Sequence, residues 1–156
     1  MSVDFWRRLL PGLWAGWLLC VAVLATPAPF ALLVQSEAGR VVARMLAQEA
    51  YTSLALATLL LVLERVAARR AAAEGDSTQF TAGMMLAGAA LFCTVAGYFG
   101  LQPLMQAARS GQGALSFGQL HAVSAAFYLV KVGCVLALAV LAARGNRAGP
   151  LRPSTS

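Results

Sequence analysis

Four long apolar runs, separated by short polar stretches, organise this chain. The first, residues 9–34, contains no charged side chain and exceeds the ~20 residues a helix needs to cross a hydrocarbon core. The others are residues 50–66, 80–101 and 117–143. The pattern predicts an all-α integral membrane protein, a four-helix bundle with four spans. Pro27 and Pro29 are expected to kink or end the first span, because proline lacks an amide donor and crowds the carbonyl one turn back. Pro103 is expected to end the third. Residues 105–114, which include Arg109 and two glycines, read as a loop, and residues 144–156 as a disordered cytoplasmic tail.

Residues 35–49 form an amphipathic lead-in to the second span. Ser36 can cap it and Glu37 lies in its first turn, where a negative charge complements the helix dipole. Arg40 and Arg44 are one turn apart, while Val41, Val42, Met45 and Leu46 make the apolar face. A straight helix from Glu37 to Arg70 would be ~50 Å long, against a core of ~30 Å. A bend or protruding turn near residues 48–51 is therefore expected. Residues 71–79 read as a polar loop, with Ser77 or Thr78 capping the third span. Small residues recur at helical spacing as Gly12, Gly16 and Cys20, as Gly83 with Ala87, and as Ala89, Cys93 and Gly97. Such ridges let helices approach closely in lipid.

Composition supports the membrane reading. The chain is 60% hydrophobic and 12% charged, where a soluble domain carries about 25% charged residues. The formal charge of +6 is almost wholly arginine. Those arginines flank the spans and form no basic stripe, which argues against nucleic-acid binding. Arg7, Arg8, Arg65, Arg69, Arg70, Arg144, Arg147 and Arg152 fall on one side, and Arg40, Arg44 and Arg109 on the other. The positive-inside rule then places both termini in the cytoplasm. The excess of arginine over lysine suggests a GC-rich bacterial genome, and so the bacterial inner membrane. A cleavable signal peptide fits poorly: the first run holds Trp14 and Trp17, has proline on both sides of the candidate cut, and continues through residues 30–34.

Chemistry is sparse. Cys20, Cys93 and Cys134 are odd in number and lack CxxC spacing, so no disulfide framework, zinc site or other metal site is assigned. One histidine cannot supply both axial ligands of a membrane haem, and no cofactor is assigned. With no nucleophile–base–orienter spacing and no nucleotide motif, the expectation is a non-enzyme. What remains is a polar stripe at the start of the fourth span. At about 100° per residue, His121, Ser124, Tyr128 and Lys131 share one helix face. His121 is placed near the outer end of the bundle, at the depth of Glu49. A Glu49–His121 contact would be either a proton-responsive pair or a plain interhelical hydrogen bond. Lys131 lies ~15 Å deeper, and no acid is expected at its level, Glu49 being too high and Glu64 too low. Ser53, Thr94 and Tyr98 are its expected polar neighbours, unless an oligomer buries it.

Several motifs resemble the TMEM205-like (DUF4149) family of small four-span membrane proteins. Leu13-Trp14-Ala15-Gly16 is similar to its first-span Trp-x-Gly signature, Pro29-Phe30 to its exit from that span, and Ala38-Gly39-Arg40 to its Ala-Gly element. Pro103, Met105 and Arg109 match a Pro-x-Ile-x-x-x-Arg spacing. Phe117, Leu120, His121 and Ser124 match its Phe-x-x-Leu-His-x-x-Ser. Tyr128 stands where that family would have asparagine, and Lys131 is a further departure. A vertebrate relative is associated with platinum-drug resistance, so the resemblance implies transport or export. Two readings follow. In one, His121, Ser124, Glu49, Arg109 and Lys131 form a polar path or ion site of a transport or efflux-related protein. In the other, the chain is a non-catalytic accessory subunit that packs into a homo-oligomer or larger complex in the lipid bilayer.

Overall fold

The computed structural model describes residues 2–73 and 80–144. All described secondary structure is helical, and four helical stretches are long and apolar enough to cross a membrane: Val3–Leu32, Gln35–Ala73, Ala82–Arg109 and Phe117–Arg144. The first comprises α1 (Val3–Cys20), a π-helical turn (Val21–Ala25) and α2 (Pro27–Leu32). The second is α3 (Gln35–Ala73). The third comprises α4 (Ala82–Thr94), a π-helical segment (Val95–Gly100) and α5 (Gln102–Arg109). The fourth is α6 (Phe117–Arg144).

Each span packs on the next in sequence, and the fourth closes the ring against the first. The second and fourth therefore face each other across a diagonal, and their Cα atoms nowhere approach within 8 Å. Leu10, Trp14, Leu18, Ala57, Leu60, Ala87, Ala90, Val135 and Leu138 fill the centre. Most other large apolar side chains point outward, as they should where the surrounding solvent is hydrocarbon.

None of these prolines ends its span: at Pro27 and Pro29 a kink or an end was expected, and at Pro103 an end. Pro27 does not end the first span, which widens into a π turn just before it. The Thr26 amide and hydroxyl both donate to the Val21 carbonyl, at 2.9 and 2.8 Å. The wider turn absorbs the misfit that the proline ring imposes upstream. Pro103 likewise begins α5 rather than ending the third span. Proline is tolerated in a first turn, where its missing amide has no helical partner to lose. The first half of the expected loop at 105–114, residues 105–109, is thus helix.

The second span is uninterrupted. α3 runs as one α-helix through residues 48–51, where a bend or protruding turn was expected. Its 39 residues would span ~58 Å, and its first turns pack against α2 instead of folding away. The cap of the third span is Thr81, whose hydroxyl accepts from the Met84 amide at 3.1 Å. Ser77, Thr78 and the tail from residue 145 lie outside the described residues.

The small-residue ridges divide. Gly12, Gly16 and Cys20 face away from the bundle, and a Cβ on either glycine would meet nothing within 4 Å. The buried face of α1 is Leu10, Pro11, Trp14, Ala15 and Leu18 instead. On the third span, Ala87, Cys93 and Gly97 are buried while Ala89 is half-buried. A Cβ on Gly97 would lie 2.5 Å from Cβ of Phe127, so glycine here sets how closely α6 approaches. Gly97→Ala should destabilise the bundle by ~1–3 kcal/mol through overpacking. Gly12→Ala should leave thermal unfolding in detergent unchanged, and equal effects of the two substitutions would contradict this packing.

Candidate functional site

The polar stripe of the fourth span acts as a ladder of donors. Ser124, Tyr128 and Lys131 recur at helical spacing on α6, and each reaches a different span. The Ser124 hydroxyl donates to the Gly97 carbonyl in the π segment of the third span at 2.9 Å. The Tyr128 hydroxyl donates to the Leu18 carbonyl of α1 at 2.8 Å. Lys131 Nζ donates to both carboxylate oxygens of Glu49 on α3, at 2.8 and 3.0 Å.

The Glu49–Lys131 pair is the centre of this arrangement, since its partners are only 2% and 3% exposed. Ser53, one turn along α3 from Glu49, donates its hydroxyl to Glu49 Oε1. Ser53 Oγ in turn accepts from the indole N–H of the fully buried Trp14 at 3.0 Å. The ammonium also sits 4.7 Å from the centre of the Tyr128 ring, within cation–π range. The chain Trp14–Ser53–Glu49–Lys131–Tyr128 thus links the first, second and fourth spans. No buried side-chain nitrogen or oxygen among the described residues lacks a hydrogen-bond partner.

This pairing replaces the one expected from sequence, for reasons of side-chain direction and reach. Side chains on a helix lean toward its N-terminus, so the ammonium of Lys131 lies about one turn nearer the far end than its Cα does. Glu49 is fifteen residues above Glu64, ~22 Å along the helix, and its carboxylate is enclosed between the spans rather than exposed at the rim. The two corrections meet, and two long side chains close a diagonal the backbones cannot. His121, by contrast, is exposed. Its ring stacks on Phe117 with centroids 6.0 Å apart, and the exposed Arg109 guanidinium lies 4.5 Å from the Phe117 centroid. Arg109, Phe117 and His121 form a separate stack at the end opposite the termini, away from the buried pair. Of the other neighbours expected for Lys131, Ser53 acts through Glu49, and the Thr94 hydroxyl donates to its own helix at Ala90.

A second buried carboxylate went unrecognised in the sequence. Glu64 is held by Arg7 in a two-pronged contact, Nε to Oε1 at 2.8 Å and Nη2 to Oε2 at 3.0 Å. Thr81 donates to its Oε2 at 2.9 Å, and Arg7 also touches Asp4 at 3.3 Å. A Cβ on Gly83 would lie 2.7 Å from the Glu64 carboxyl carbon, so glycine makes room for that group. These residues line a cleft of about 340 Å³ at the end carrying the termini. The available signal was an acid among the arginines at the end of a span. The three cysteines are free, with Cys20 exposed and Cys93 buried. Among the described residues no three His, Cys, Asp or Glu side chains gather as a metal site.

Four apolar spans closed by intramembrane hydrogen bonds and an ion pair define a small multi-pass membrane protein. A family model described as "Domain of unknown function (DUF4149)" matches residues 9–114, and the chain belongs to that family, the TMEM205-like four-span proteins. The matched segment contains Trp14, Glu49, Ser53 and Glu64, whereas Ser124, Tyr128 and Lys131 lie beyond it. No curated protein and no solved structure matches the chain.

The pair makes a measurable demand. Lys131→Met or Glu49→Gln alone should cost ~3–5 kcal/mol, because each leaves a buried polar or charged partner uncompensated. The double substitution should recover most of that loss. A double-mutant cycle on thermal unfolding in detergent reads the coupling, and additive losses would mean that the two groups do not interact. His121→Ala should be neutral in the same assay.

Proposed function

We propose that this chain is a small transport or efflux-related membrane protein in which the Glu49–Lys131 pair is the charge switch. The observation that carries this reading is an enclosed ion pair bridging two spans whose backbones do not touch. Holding helices together does not require charge, since apolar groups of similar volume serve as well or better. Ionisable groups inside a membrane are costly and commonly mark ion or substrate pathways. A proton on Glu49, or an ion drawn to either partner, weakens the tie across the diagonal. Ser53, Trp14 and Tyr128 keep the separated groups oriented. Arginine asymmetry supports cytoplasmic termini, and the arginine-rich composition supports a bacterial inner membrane. In that orientation the pair lies nearer the outer face than the cytoplasmic one.

A second reading rests on the outward ridge of Gly12, Gly16 and Cys20, which leaves α1 able to pack closely on another membrane helix. On that reading the chain is an accessory subunit and its ion pair is purely structural. The double variant Glu49→Gln/Lys131→Met separates the two. In cells lacking the native protein, tolerance to a panel of lipophilic cations and metal complexes is measured alongside the amount of protein in the membrane fraction. Transport predicts normal membrane levels with tolerance reduced to that of the deletion. Full tolerance from the double variant would refute the switch.

A further inference from the structure

A groove enclosing about 590 Å³ runs between α1 and α3, lined by Trp17, Arg44, Ala47, Gln48, Tyr51 and Thr52. We propose that it binds the headgroup of an anionic phospholipid, with the phosphate held by Arg44 and by Arg40 one turn away. The inference does not depend on the transport reading.

Depth is the first support. Arg44 is twenty residues from Glu64 on the same unbroken helix, a rise of ~30 Å, which is the thickness of the hydrocarbon core. With the Arg7–Glu64 cluster at one headgroup level, Arg44 stands at the other. Charge is the second. No carboxylate lines the groove, and the acid of α3 nearest to it in sequence, Glu49, is turned inward onto Lys131. Arg40 and Arg44 are exposed and make no hydrogen bond or ion pair with the described residues. Two guanidinium forks one turn apart on one helix face match the oxygens of a phosphate diester.

The rest of the groove fits the remainder of such a lipid. Tyr51, 62% exposed, provides an amphipathic ring of the kind that favours the interface, and Trp17, 43% exposed, provides an apolar wall deeper in the groove. The Tyr51 ring is held edge-on to Phe99 with centroids 5.4 Å apart. The Thr52 hydroxyl donates to the Gln48 carbonyl at 2.9 Å, leaving its oxygen as an acceptor. The Gln48 side-chain amide supplies both a donor and an acceptor. By helical rise Gln48 lies ~6 Å toward the bilayer centre from Arg44, the level of a lipid's ester carbonyls, which its amide N–H can meet, and the acyl chains would run on past Trp17 and Thr52. A basic pocket between spans at headgroup depth has the chemistry of an anionic-lipid site.

Native mass spectrometry of the detergent-purified full chain tests this, with an equimolar mixture of phosphatidylglycerol and phosphatidylcholine added. Wild type should retain phosphatidylglycerol preferentially. Arg40→Gln and Arg44→Gln should each reduce that preference about fivefold, while Arg65→Gln, near the other end of α3, should leave it intact. Arg44→Lys keeps the charge but loses the fork and should fall between. Both positions are exposed, so the variants should fold as wild type does, and elution as a single species verifies this. Equal retention of both lipids, an unchanged preference in the Arg40→Gln/Arg44→Gln double variant, or an equal loss with Arg65→Gln would overturn the proposal. Complete displacement of the lipid by millimolar inorganic phosphate would also overturn it, by showing a free-anion site.

Discussion

A lysine ammonium enclosed within a membrane-spanning bundle must find a counter-charge, and most of this structure follows from how Lys131 does so. An unpaired charge within the hydrocarbon layer costs up to several kcal/mol, most at its centre. Here it is met by Glu49 across the bundle diagonal, in a contact neither backbone could approach on its own. Once the pair forms, its surroundings are narrowly prescribed. Glu49 needs a donor for its remaining lone pairs, which Ser53 provides. Ser53 needs a donor in turn, which Trp14 provides. Trp14 therefore has its ring in the apolar centre and its N–H on a polar chain.

The same helix that carries Lys131 fastens the other spans. Ser124 and Tyr128 deliver hydroxyl protons to backbone carbonyls of the third and first spans. Both of those spans contain a π-helical stretch with a proline a few residues beyond, where regular helical bonding is disturbed. The Leu18 carbonyl also accepts from the Val21 amide, so the Tyr128 hydroxyl adds a second donor from a neighbouring helix there. Gly97 lets α6 come close enough for Ser124 to reach.

The two buried carboxylates of α3 divide the bundle into levels. Glu64 joins the first, second and third spans at the end carrying the termini, through Arg7 and Thr81. Glu49 joins the first, second and fourth spans deeper in. Between them lies an apolar layer of Ala57, Leu60, Val135 and Leu138. The cleft beside Glu64 is thus separated from the Glu49–Lys131 pair by packed side chains. A charge switch at Glu49 would require that layer to loosen.

Hydropathy alone determined the class of this protein: four spans, all helical, in a bilayer. Lengths of apolar runs answer directly to bilayer thickness and need no tertiary information. The helix face shared by Ser124, Tyr128 and Lys131 was legible for the same reason, because helical periodicity is local. Which groups meet across the bundle was not. The Glu49–Lys131 pair depends on side-chain lean, on helix registry and on a diagonal closed only by two long side chains, and a depth scale drawn from span starts misplaces all three. His121 illustrates the reverse case: it shares the stripe in sequence, yet it lies on exposed helix surface beside Phe117 and Arg109. Periodicity names the face of a helix, and only the packing of the other three spans decides how far along that face the interior extends.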